Sequence, residues 1–259
     1  MDQTGRFSIS PQALYRKLGA ASSPIVVDVR PAPTFAAQPA MIVGAVQREP
    51  GAVERWRRDL PAGRAIVVYC GDGLEVSEHV TAKLLGAGCD AVYLEGGLGA
   101  WSQAGLPRRR RLPSMPRIWI TRERPKIDRI ACPWLIRRFI NPEAAIVYVP
   151  RDQVAARAAE VGATPFDIPD VEFGHHGEQC SFDAFLAVFA IEDRPLQRLA
   201  AIVRGADTGK PALTPQSDGL LALSQGLSAI FADDHEMLAH GMTVYDALYA
   251  WCRDAAGAP

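Results

Sequence analysis

Cys70 is the residue best placed to do chemistry. It follows the apolar run Ile66-Val-Val-Tyr69 and opens the segment Gly71, Asp72, Gly73, Leu74, Glu75, Val76, Ser77, after which a helical pattern begins. Open α/β sheets bind ligands beyond the carboxyl ends of their strands, and that is where this cysteine falls. Two glycines allow successive N–H groups to turn inward as an anion-binding nest, and the helix N-terminus adds partial positive charge. Both effects favour thiolate over thiol, so Cys70 is expected to act as a nucleophile and to hold a persulfide sulfur in the same cradle. The bland alternative is a buried cysteine closing a strand, but this residue opens a loop. Glu75 works the other way, because a carboxylate in that loop repels dianions such as thiosulfate. His79, one turn into the helix, reads as a surface position, and Cys89, at the start of a strand, as core.

A second candidate is Phe173-Gly-His-His-Gly-Glu-Gln-Cys-Ser-Phe182. Two histidines, a glutamate and a cysteine so close together supply enough donors for a divalent transition metal. Neighbouring side chains diverge, so a turn brings only some of them together, and the expected ligand set is His176 and Glu178 completed by Asp207 and His235. The competing reading is a polar loop in which His175 is exposed and Ser181 caps the next helix. Asp233 and Glu236 have the spacing of a capping box, which leaves His235 unexplained. Cys132 precedes Pro133, so either a helix starts there with an activated thiol at its cap, or a helix kinks over a packed thiol.

These residues need elements to hold them. The 259 residues suffice for about two domains of roughly 100–200 residues each. A hydrophobic share of 48% gives both a core, and a net charge of −1 gives no electrostatic bias toward nucleic acid or a membrane surface. The first ten residues carry no apolar core of a secretion signal, and no run approaches the ~20 apolar residues of a membrane span, so a cytoplasmic protein is expected. Five scattered cysteines without a CxxC pair argue against a disulfide framework or zinc ribbon.

Three prolines and four consecutive arginines in residues 106–116 read as an exposed linker. Before it, uniformly apolar strands at 24–29, 64–69 and 91–94 alternate with helical stretches at 11–18 and 76–85, the pattern of a doubly wound parallel sheet. After it, strands at 117–120 and 144–149 flank a helical segment at 127–140. The end is helical, at about 182–190, 194–204, 218–231, 234–240 and 243–254, with Gly205 and Gly241 at helix ends and Thr243 and Asp246 in capping-box spacing.

Residues 8–107 resemble a rhodanese domain, through Val27-Asp-Val-Arg30, Phe35, Gly44-Ala45, Val68-Tyr-Cys70, Ser77, Leu84 to Gly88, Leu94-Glu-Gly-Gly97, Trp101 and Gly105-Leu-Pro107. The resemblance implies an α/β rhodanese-like doubly wound parallel sheet and sulfur transfer through a persulfide on Cys70. It also implies a small-molecule or protein thiol as sulfur donor and acceptor, and a bracing role for Asp28 and Arg30. Residues 117–255 resemble the C-terminal domain of chromate resistance proteins of the ChrB type. That match rests on Ile127-Asp-Arg-Ile-Ala-Cys-Pro-Trp-Leu-Ile-Arg-Arg-Phe-Ile140, Gly177 to Phe182, Arg204-Gly-Ala-Asp207, Asp233-Asp-His-Glu236 and Tyr245-Asp-Ala-Leu-Tyr-Ala-Trp251. It implies a part in chromate resistance, as an accessory or a chromate-responsive regulator, for this α+β, helix-rich second domain, which the residue clusters mark as handling a metal or an oxyanion. The expectation is a sulfurtransferase acting in chromate or oxidative stress. The alternative is a chromate-responsive sensor or transcriptional regulator without turnover, which a rhodanese domain in place of a DNA-binding segment weakens.

Overall fold

The structure, a computed structural model, describes residues 7–73 and 75–255. The chain divides into two compact units, the first holding the residues up to Arg111 together with the short segment Arg138–Pro142, the second Leu112–Arg137 and the residues from Glu143 onward. The first runs β1 (Ser8–Ile9), α1 (Pro11–Lys17), β2 (Ile25–Asp28), α2 (Ala32–Ala37), β3 (Ala40–Ile42), β4 (Val46–Gln47), α3 (Val53–Trp56), β5 (Ile66–Tyr69), α4 (Glu75–Gly86), β6 (Ala91–Leu94), α5 (Gly97–Gln103) and β7 (Arg108–Arg110). Strands β1, β6, β5, β2 and β4 pair in that order, all parallel. A parallel sheet is covered on both faces, which is why Val26, Val27 and the whole of Ile66–Tyr69 are apolar and buried. The register sets Asp28 beside Tyr69, the residue before Cys70. Helix α1 begins as its sequence demands, with the Ala13 N–H donating to the Ser10 hydroxyl and Pro11 at the first helical position.

The arginine run is not a solvated hinge. Residues Arg108–Arg110 form β7, antiparallel to β3, with Met41 opposite Arg109. Arg109 is buried and donates to the Ala45 carbonyl at 3.1 Å, while Arg111 lies over the Phe35 ring at 4.3 Å. Strand pairing uses backbone groups that every arginine carries, and the long stems cover apolar surface. The first unit thus extends past Pro107.

The second unit runs β8 (Ile118–Arg122), α6 (Ile127–Leu135), β9 (Ala145–Val149), α7 (Val154–Val161), β10 (Thr164–Pro165), α8 (Ser181–Val188), α9 (Arg194–Asp207), α10 (Ser217–Ile230) and α11 (Asp234–Ala255). A small parallel sheet is ordered β10, β8, β9. Alternation along β8 buries both of its faces: Trp119 packs against Phe173 and Phe185, and its neighbour Ile120 against Val154 and Ala158 of α7. The carboxyl ends of these strands carry Arg122 and, two residues past β10, Asp167.

Helix α6 continues through Pro133. Proline has no N–H, so the carbonyl of Arg129, four residues earlier, loses its helical donor; the Tyr148 hydroxyl replaces it at 2.8 Å. Cys132 is therefore fully buried inside the helix and not at a cap, and burial pushes its thiol well above the usual range. The two glycines expected at helix ends lie within helices. A Cβ on Gly241 would meet Cγ2 of Ile130 at 2.5 Å, and one on Gly205 would run into the Ser217 hydroxyl, so both serve close packing. Helix α11 consequently passes through Thr243, and Asp246 accepts from the Trp134 indole at 2.7 Å.

Candidate functional site

Cys70 directly follows β5 and is almost completely buried. Its Sγ lies 3.3 Å from Asp72 Oδ1 and 3.3 Å from the Ser77 hydroxyl on the first turns of α4. The loop is pinned from beneath by the turn into α5. The Leu98 and Gly99 N–H groups donate to the carbonyls of Cys70 and Gly71 at 3.0 and 2.9 Å. This approach is too close for side chains: a Cβ on Gly73 (φ +75°) would sit 2.5 Å from Gly97 N, and one on Gly97 2.5 Å from the Cys70 carbonyl oxygen. The glycines therefore fix where the cysteine points. Glu75 is exposed at the start of α4, where a carboxylate is favoured by the helix dipole and screened by solvent. Val76 turns into the core, His79 is on the surface, and Leu74 lies outside the described residues.

Behind the loop is a buried brace. The Arg30 guanidinium donates to both oxygens of Asp28, at 2.9 and 2.6 Å, and onward to the Ala40 carbonyl at 3.0 Å. The Tyr69 hydroxyl donates to Asp28 Oδ2 at 2.8 Å and accepts from the Ile42 N–H at 3.3 Å. Burial and the Asp28 carboxylate push the Tyr69 phenol well above its usual range, so it stays a donor. The brace ties the end of β5, through Tyr69, to Asp28 and Arg30.

A second constellation gathers in the second unit. His175 Nε2 lies 3.1 Å from Asp207 Oδ2, 3.4 Å from Asp167 Oδ1 and 3.5 Å from Asp128 Oδ2. Asp128 stands in the first turn of α6 and Asp207 ends α9, while Asp167 follows β10. Asp128 is fully buried; its Oδ2 accepts the Ser181 N–H at 2.6 Å, and its Oδ1 has no hydrogen-bond partner among the described residues. Asp167 is committed elsewhere, through Oδ2 to Arg122 at 2.9 Å and Arg129 at 3.2 Å and through Oδ1 to the Ser181 hydroxyl at 3.2 Å.

Electrostatics follow from this crowding. Burial raises the Asp128 carboxyl, against hydrogen bonding by His175. Burial, with the charges of Asp128 and Asp167, pushes Asp207 up to about 7. Burial would raise Asp167 as well, but hydrogen bonds from His175 and Arg122 and the arginine charges hold it below its usual value. Hydrogen bonding to Asp128 and Asp167 pushes His175 up to about 10. Three carboxylates face two guanidinium groups and the His175 imidazolium, so the charges of the cluster nearly balance, and a cation entering it would take the place of the histidine proton.

A family model for the C-terminal domain of ChrB matches residues 119–252, more than half of the chain. The chain belongs to the ChrB C-terminal domain family. The Rhodanese-like domain model matches residues 10–104, in line with the parallel sheet of the first unit. Protein ChrB of Cupriavidus metallidurans is 33% identical over 145 residues, which cover 56% of this chain and 43% of that relative. The matched stretch therefore spans less than half of that protein's length. Solved structures similar to part of the chain include a rhodanese-related protein from Thermoplasma volcanium, 22% identical over 39% of this chain and 96% of that one, with a TM-score of 0.35. Another is thiosulfate sulfurtransferase from Pseudomonas aeruginosa, 25% identical over 40% of this chain and 19% of that one, with a TM-score of 0.37.

In the ChrB domain the ligand set expected from sequence does not assemble. His176 Nε2 bonds the Glu172 carbonyl at 2.9 Å and its backbone bridges to Gln179, so the histidine is spent closing its own turn. Glu178 is exposed and pairs with Lys210 at 2.5 Å. His235 on α11 packs its ring at a steep angle to that of Tyr148, with the ring centroids 5.5 Å apart. Asp207 alone among the four stands in the cluster, and its real companions are His175, Asp128 and Asp167. Ser181 supports that cluster, while Cys180 caps α8 together with Asp183. One signal for Asp128 was legible: it precedes Ala131 and Cys132 by three and four residues, on the face of α6 that must be buried.

Proposed function

We propose that this protein is a sulfurtransferase of the cytoplasm, working through a Cys70 persulfide in chromate or related oxidative stress. The observation that carries the reading is Cys70 Sγ at the head of a glycine loop, with the Ser77 hydroxyl 3.3 Å away at the helix that follows. The Cys70 thiolate attacks the outer sulfur of a persulfide-type donor, and the donor's inner sulfur leaves as thiolate. Ser77 can donate a hydrogen bond to the sulfur bound there. An acceptor thiolate then attacks the outer sulfur, forming its own persulfide and releasing Cys70 as thiolate. No net oxidation occurs. Among the described residues no helix is long and apolar enough to cross a membrane. The chromate context rests on the ChrB domain fused to this module.

Intact-mass spectrometry after incubation with a small-molecule persulfide tests the proposal. The expected result is a gain of one sulfur atom, absent in Cys70→Ser, with transfer to cyanide or a thiol lost in the same variant. If no donor loads Cys70 and the protein retards promoter DNA, the sulfurtransferase reading fails in favour of a sensor.

A further inference from the structure

We propose that Asp128, His175 and Asp207 form a binding site for a divalent cation that prefers oxygen ligands, with Mn2+ as the probe that reports it. The donor atoms of the three residues all lie within 4.8 Å of one another. Metal–oxygen and metal–nitrogen bonds of about 2.1 Å place adjacent ligands about 3.0 Å apart in an octahedron and about 3.4 Å apart in a tetrahedron. His175 Nε2 stands 3.1 Å from Asp207 Oδ2, between those two values, and 3.5 Å from Asp128 Oδ2, just beyond the larger.

A plain ion pair accounts for less. One imidazole nitrogen carries at most one N–H and directs it to one acceptor, yet three carboxylates converge on this atom. Nor does an ion pair satisfy Asp128 Oδ1, a buried carboxylate oxygen without a hydrogen-bond partner among the described residues, a placement that is expensive unless an ion or water fills it. Charge points the same way. A metal on Nε2 takes the place of the His175 proton; with the imidazole then neutral, three aspartates and two arginines sum to one negative charge, which a divalent cation offsets. Asp167 supports the site without occupying it, because its oxygens are engaged by Arg122, Arg129 and the Ser181 hydroxyl; such outer partners orient ligands in metal centres. Two carboxylates and one imidazole suit Mn2+ or a similar hard divalent ion over the soft, thiolate-seeking ones. The site lies at the carboxyl end of a parallel sheet, where the chain leaves room for ligands.

The test uses the full chain, stripped with a chelator and titrated with Mn2+, with the free ion read by electron paramagnetic resonance. One Mn2+ per chain is expected. Asp207→Asn, which keeps the side-chain volume, and His175→Ala raise Kd a hundredfold or more; circular dichroism confirms that both remain folded, and His175→Gln replaces His175→Ala if that variant does not. His176→Ala, His235→Ala and Cys70→Ser bind as the native chain does. This proposal is independent of the persulfide reading, because Cys70→Ser separates the two. Absence of stoichiometric Mn2+ binding overturns it, as does binding that survives both ligand variants or is lost in His176→Ala.

Discussion

Replacing Tyr148 by phenylalanine isolates the way α6 accommodates Pro133. The hydroxyl donates at 2.8 Å to the Arg129 carbonyl, which proline leaves without its helical partner. Removing it leaves that carbonyl unpaired, at a cost of about 1–3 kcal/mol. For a unit of this size that corresponds to a fall of roughly 3–10 °C in Tm. In a Pro133→Ala background, residue 133 regains an N–H aimed at the same carbonyl, so Tyr148→Phe becomes nearly neutral. Calorimetry of the four proteins closes the double-mutant cycle, and a coupling of about 1 kcal/mol or more is expected. Equal losses in both backgrounds would show that Tyr148 acts through ring packing, and the account of the helix given above would be wrong. The stake is functional, since Asp128 and Arg129 sit on the turn that Tyr148 holds.

Three further outcomes are expected. Tyr69→Phe removes a hydrogen bond to a buried carboxylate and orphans the Ile42 N–H, so it lowers the stability of the first unit by about 2–4 kcal/mol in urea titrations. The same variant still loads sulfur, because the groups beside Cys70 Sγ are untouched. Cys132, Cys180 and Cys252 resist iodoacetamide at pH 8 in the folded protein, since burial raises all three thiols, that of Cys252 to about 11; peptide mapping that finds any of them labelled as fast as a free thiol contradicts this. Gly241→Ala sets overpacking against Ile130, about 1–3 kcal/mol, against a gain in helix propensity of about 1 kcal/mol, so a small net loss in Tm is expected.

The first unit was largely legible because its signals are local. Buried parallel strands are apolar throughout, and a cysteine between such a strand and a glycine loop has few other uses. The second site was legible only in part. Asp207 stood out as a carboxylate without a cap to serve, but the choice between His175 and His176 depends on which way one turn faces, and composition carries no record of that. Asp128 and Asp167 were not singled out, because their meeting with each other and with Asp207 depends on contacts between parts of the chain far apart in sequence, 79 positions for Asp128 and Asp207. Gly205 and Gly241 misled for a related reason: local rules make glycine a helix stop, whereas here a neighbouring helix needs the space.

The pairing of β7 with β3 bears on how the chain can be cut into working parts. A fragment ending at Pro107, where the family resemblance ends, would strip the strand from Ala40–Ile42 and leave that backbone edge open. Open edges recruit other chains, so the shortened fragment would self-associate and could be mistaken for a natural oligomer. Ending the fragment after Arg111 keeps the edge closed.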